Sequence, residues 1–194
     1  MKRLLIIFTF LHVFIVAIVA QNADYKKAVA HYKNIKNVTA VATKTSHKNA
    51  VTKDVVTKGT LVMNAPSEVS ITMDGGKDQL LMQGNVFTMT VKGKKHTTNS
   101  QKNTQFATFQ TVFESIMSGG TIDISKLSDL TISKQGNNLV LTITPKTSSK
   151  KEARRMMFSS FVLTLDSKSG ELRTLRMNER AGYTEYSFSS HRLK

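Results

Sequence analysis

Residues 61–73 read LVMNAPSEVSITM. Leu61-Val62-Met63 and Val69-Ser70-Ile71-Thr72-Met73 are two short runs with period-two patterning, Val62 excepted, on either side of a turn at Pro66. That is the signature of an antiparallel strand pair with one apolar face. Each run closes on methionine, and the residue recurs at Met82 and Met89. Strands usually favour β-branched and aromatic side chains at such places. A flexible thioether instead adapts to varied shapes, so the choice of residue bears on what the face meets.

The same pattern extends in both directions. Upstream, Val38 to Lys44 and Asp54 to Met63 read as strands, the second with a bend or bulge at Gly59. Downstream, Asp78 to Gln83 and Val86 to Val91 complete a meander, while the polar stretch from Lys92 to Thr104 reads as a loop. Further strands are predicted at Asp129 to Lys134, Leu139 to Pro145, Met156 to Leu165, Glu171 to Asn178 and Tyr183 to Ser189, with a basic loop or helix from Lys146 to Arg155. Two stretches have helical spacing. Tyr25, Val29, Tyr32, Ile35 and Val38 fall three or four apart, as do Phe106, Phe109, Val112, Phe113, Ile116 and Met117 before Gly119-Gly120. About ten to eleven antiparallel strands and two helices predict a mainly β domain. Its expected form is a strongly curved sheet, or half-open barrel, with the helices over its concave side.

Residues 1–20 form a basic start and an apolar run ending in Ala20, which reads as a cleaved secretory signal peptide rather than an uncleaved anchor. Residues 21–194 then form one domain. The formal net charge is +15, and +13 without Lys2 and Arg3. An exported chain meets phospholipid head groups, glycolipid phosphates and acidic protein surfaces, so those polyanions are expected rather than nucleic acid. Transient contact with a membrane surface fits the same charge. The chain has no cysteine, which excludes a disulfide scaffold and acylation of the chain itself. His31, His47, His96 and His191 lie in separate segments without ligand spacing and read as surface residues. No nucleophile elbow, phosphate loop or dinucleotide fingerprint occurs, so neither catalysis, cofactor nor metal is expected.

What remains is an apolar surface. Leu61, Met63, Val69, Ile71, Met73, Leu80, Met82, Phe87, Met89 and Val91 should share one face of the meander. The plain explanation is the core of a sandwich. The methionines and the bulky helical face of Phe106, Phe109, Phe113 and Met117 instead suit a cavity that accepts a variable apolar ligand.

In order and spacing the chain resembles the outer-membrane lipoprotein carrier family, the LolA proteins. The resemblance rests on GTLVMNAPSEVSITM, MQGNVFTMTV, FQTVFESIMSGG, LVLTITPK and FVLTLDSKSGELRTLRMNERAGYTEYSF, which together span most of residues 22–190. It implies a half-open barrel with a helical lid, in the periplasm. It further implies a monomeric, non-enzymatic carrier that takes lipid-modified proteins from an inner-membrane transporter to an outer-membrane acceptor. The residues above would line the cavity, and Tyr25, Val29, Tyr32 and Ile35 would form the lid. Two features depart from the family: Ala65 stands where its lid-fastening Arg precedes the turn Pro, and no Trp is present. A carrier of another amphiphile, such as an anionic phospholipid or glycolipid, and an envelope protein with a merely packed core are the competing expectations.

Overall fold

The computed structural model describes residues 22–101, 103, 106–147 and 156–194. Residues 1–20, expected to be a signal peptide, and the basic run from Lys150 to Arg155 lie outside the described residues. The chain begins with a helix, α1, over residues 22–29, which tightens into a 3-10 turn at Ala30–Asn34. Strands β1 (Asn37–Lys48), β2 (Val55–Asn64), β3 (Glu68–Met73), β4 (Asp78–Gln83), β5 (Val86–Val91) and β6 (Lys94–Asn99) follow. Helix α2 (Ala107–Met117) leads to β7 (Leu130–Gln135), β8 (Asn138–Ile143), β9 (Ser160–Asp166), β10 (Leu172–Glu179) and β11 (Gly182–Leu193). All eleven strands form one sheet in the order β6-β5-β4-β3-β2-β1-β11-β10-β9-β8-β7. The fold is therefore an antiparallel sheet with two free edges, covered by helices. It consists of two meanders joined where β1 pairs with β11.

Alternation sets the inner face. In β3 the buried residues are Val69, Ile71 and Met73, and in β9 they are Phe161, Leu163 and Leu165. Helix α2 buries Phe109, Val112, Phe113, Ile116 and Met117, and these join the strand residues in one continuous core. Its phenylalanines show how far the sheet curls. The Phe109 ring lies 5.7 Å from Phe87 of β5 and 4.8 Å from Phe161 of β9. One helix thus touches both flanks of the sheet. It ends where Gly119 and Gly120 take positive φ and their N–H groups bond the carbonyls of Ile116 and Ser115.

The structure departs from the sequence reading in three places. Lys94–Asn99, expected to be loop, is edge strand β6, paired with β5 from Val86↔Asn99 to Val91↔Lys94. Gly59 is no bulge: it pairs in register with Ala42 and Met73, and the shifts fall between Thr39 and Val41 and between Leu172 and Thr174. The glycine is needed because a Cβ there would lie 2.0 Å from the Thr72 carbonyl oxygen and 2.7 Å from the Met73 sulfur. Last, His191 is not a surface residue. Its side chain is only 1 % exposed, with the ring Nε2 3.0 Å from the Leu172 carbonyl oxygen.

Candidate functional site

The expected lining residues are brought together on the inner face, in two different settings. Leu61, Met63, Val69, Ile71, Met73, Met82, Phe109, Phe113 and Met117 are buried in the packed core. Leu80, Phe87, Met89 and Phe106 line a cavity of about 180 Å³, closed on its other sides by Thr88, His96, Thr97, Thr98, Asn103 and Met157. Val91 belongs to neither set. At the open end of β5 it is 42 % exposed, beyond the reach of the covering helices. Met73 fits into the space left by Gly59, so its flexibility serves close packing. Of the four methionines in the pattern, Met89 is the one at the cavity.

The cavity has an apolar floor and a polar edge. Leu80, Met89 and His96 form one row across β4, β5 and β6, and Phe87 and Thr98 sit opposite each other in the next. Inward-facing residues on β5 are apolar, whereas on β6 the same face carries Lys94, His96 and Thr98. Phe106 packs on Phe87 at 4.6 Å between ring centroids and on Phe158 at 6.5 Å, so it forms the wall nearest α2. His96, Thr97, Thr98 and Asn103 escape the sequence reading because they lie in the stretch taken as loop. The alternation of Lys94, His96 and Thr98 is the signal that could have placed them.

The volume limits the chemistry. An apolar cavity of about 150 Å³ takes a benzene-sized guest, whereas pockets for larger ligands run from about 300 to 1,000 Å³. The space between β4–β6 and Phe106 accepts a short apolar segment as it stands. More requires the core side chains or the helices to move.

The expected lid residues Tyr25, Val29 and Tyr32 are fully buried, and Ile35 is partly buried against the core. The helix sits on glycines. A Cβ on Gly170, in the β9–β10 turn, would lie 2.1 Å from the Ala28 carbonyl oxygen, and one on Gly119 would lie 2.7 Å from Lys33 backbone atoms. Asp166 holds the β9–β10 turn by accepting the N–H groups of Ser169 and Lys168, both at 2.9 Å. Those bonds, Ser169 foremost, bring its carboxyl down to about 2. The lid is thus seated by close backbone approach, with Ala65 exposed at the β2–β3 turn.

The hydroxyls of Tyr25 and Tyr32 are buried and reach no partner at hydrogen-bond geometry. Ser115, beside Tyr25, donates its own hydroxyl to the Ile122 carbonyl at 2.8 Å. Burial pushes the Tyr25 phenol up, with Ser115 opposing, and burial with help from the Glu171 charge pushes Tyr32 to about 12. Burial also holds the His191 imidazole below its ordinary value, against the Glu171 carboxylate 4.0 Å away. Among the described residues no three His, Asp or Glu side chains converge as a metal site, and no helix is long and apolar enough to cross a membrane.

No family model matches the chain, and no curated protein matches it in sequence. Several solved structures are distantly similar to it. A DUF1329 family protein from Desulfovibrio piger is 12% identical, covering 92% of this chain and 93% of its own, with a TM-score of 0.43. A LolA superfamily protein from Nitrosomonas europaea is 8% identical, with 89% and 92% covered and a TM-score of 0.39. The lipoprotein LppX of Mycobacterium tuberculosis is 15% identical, with 88% and 93% covered and a TM-score of 0.37.

Proposed function

We propose that the protein is a non-catalytic carrier of acyl chains, exported to the periplasm, whose cargo is a lipid-modified protein. The observation that carries this reading is the apolar cavity between the β4–β6 edge and Phe106, continuous in lining with an adaptable Met- and Phe-rich core. Its walls offer an acyl chain many weak contacts and no charged anchor on the β4 and β5 side. Each buried methylene contributes roughly 0.8 kcal/mol, so binding scales with the length of chain admitted. Because this cavity holds only a short segment, loading a full acyl chain requires the interior to open. Chains would enter as α1 leaves its glycine seats and the phenylalanines of α2 rotate outward. Release follows from the same contacts: when the chains leave, the core repacks and its own apolar surface is buried again. An inner-membrane donor and an outer-membrane acceptor are the partners this role requires.

A second reading is a carrier of an anionic phospholipid or glycolipid on the same fold. The inward-facing Lys94, His96 and Thr98 at the cavity's edge favour it, since they could meet a phosphate. Native mass spectrometry of protein purified from its own envelope, beside a Met89→Lys variant, separates the two. Met89 is only partly buried, so a lysine there is tolerated by the fold and charges the cavity wall. Wild-type protein carrying lipidated protein, and the variant empty, is the expected result. A phospholipid or glycolipid adduct supports the second reading. Wild-type protein without any ligand would sink both.

A further inference from the structure

In an antiparallel meander alternate turns share an end of the sheet. One end here collects the β1–β2, β3–β4, β5–β6 and β10–β11 turns and both flanks of the β8–β9 connection. Each of these places carries an exposed cation: Lys53, Lys77, Lys92, Arg180 and, after β8, Lys146. The nearby carboxylates are engaged, Asp74 with Lys77 itself at 3.6 Å. Asp54 meets His47 at 2.7 Å, Asp78 meets Lys44 at 2.6 Å, and Glu179 meets Lys48. At the opposite end the turns 65–67, 84–85 and 136–137 have no charge and 167–171 balances Lys168 with Glu171, while Lys36, Arg192 and Lys194 place exposed cations beside the β1–β11 seam.

The exposed apolar side chains divide the two ends more sharply. Among the described residues eight large ones are exposed, and five of them, Val51, Val55, Val56, Val91 and Met157, belong to the basic end, at 42–63 % exposure. The other three are Val41, within β1, and Val86 and Leu193, toward the opposite end. The hairpin tip is the most prominent feature. Val55 and Val56 pair with Ser46 and Thr45 of β1, but β2 gains its second neighbour, β3, only from Gly59 onward. Adjacent strand residues face opposite sides, so the two valines make both sides of the overhanging tip apolar.

Exposed apolar residues ringed by cations are what an anionic bilayer surface selects: the valines enter the head-group region while the lysines meet lipid phosphates. We propose that this end of the sheet docks on anionic phospholipid membranes, with the β1–β2 hairpin tip inserted. The docking itself does not depend on what the cavity carries.

The absence of Trp gives a direct probe, because a single introduced indole reports alone. Val55→Trp and Val86→Trp, at the two ends, are titrated with vesicles of phosphatidylcholine alone and of phosphatidylcholine mixed with phosphatidylglycerol. Both positions are exposed, so neither substitution disturbs the core, and Val86 has only uncharged neighbours in its turn. A blue shift for Val55→Trp with the anionic vesicles only, and none for Val86→Trp, is expected. Adding Lys53→Glu and Lys92→Glu to Val55→Trp should weaken vesicle binding at least about tenfold, as each cation near an anionic surface contributes roughly a fivefold gain. No shift at Val55→Trp, an equal shift at Val86→Trp, or a shift with phosphatidylcholine alone overturns the proposal. The Met89→Lys variant, combined with Val55→Trp, should keep its vesicle response, which separates failure of docking from failure of cargo binding.

Discussion

Tyr25 and Tyr32 place two phenols under α1 whose hydroxyls reach no partner at hydrogen-bond geometry, with Ser115 and the Leu172 backbone close by. A buried hydroxyl without a partner costs about 1–3 kcal/mol, whereas a satisfied one contributes about 1. Tyr25→Phe keeps the ring and removes the burden. It should therefore leave stability unchanged or raise it by up to about 1 kcal/mol, a shift in Tm of roughly 0 to +4 °C for a domain of this size. Thermal denaturation followed by circular dichroism checks this, and a clear fall in Tm would show that the hydroxyl is bonded after all. At this scale the sequence was informative about identity but not about setting. The spacing of Tyr25, Val29 and Tyr32 put them on one buried face. Nothing in that spacing distinguishes a satisfied phenol from an orphaned one, because the neighbour that decides it, Ser115, lies on another helix. The methionines make the same point. Met73 and Met89 look alike in the alternation, yet one fills the space over Gly59 and the other faces a cavity.

For elements, legibility followed the strength of the apolar period. Helix α2 was readable because its Phe and Met residues recur at three and four. Strand β6 was hidden because KKHTTN carries no apolar alternation, and as an edge strand it needs none. Lysines at such an edge discourage pairing with other chains. The seating of α1 was invisible as well, since glycine in a turn has an adequate local reason to be there. Gly170 and Gly136 separate the two causes. Both have positive φ, at 68° and 60°, but a Cβ on Gly136 would meet open space, whereas one on Gly170 would strike α1. Gly136→Ala should cost only the backbone term, about 1–2 kcal/mol. Gly170→Ala should cost more and also loosen the lid. Hydrogen exchange across residues 22–34 is the measurement that distinguishes them: faster exchange in Gly170→Ala alone is expected, and equal protection in the two variants would mean the seat is not what holds α1.

The molecule as a whole is held at a seam between its first and last strands. Strand β11 lies between β1 and β10, and the Lys194 carbonyl accepts the N–H groups of Lys36 and Asn37 at 2.9 and 3.0 Å. Each meander is built from local hairpins, but the sheet that curls around α2 exists only once this non-local pairing forms. Its edges remain free at β6 and β7, and α2, connecting them, packs against both flanks. Curvature sufficient to enclose a cavity therefore depends on the seam and on α2 together. Ending the chain at Ala181 removes β11 and with it the buried Thr184, Tyr186 and Phe188. At roughly 1 kcal/mol for each ladder bond and about 2–3 kcal/mol for each buried aromatic, the loss reaches the whole ~5–15 kcal/mol by which domains of this kind are stable. The shortened chain should show no cooperative thermal transition, although either meander can retain hairpin structure in far-ultraviolet circular dichroism. A sharp transition in the truncated protein would mean that the two meanders are held by α2 and the core alone. In that case the sheet could part at β1 and β11 while the core stays intact.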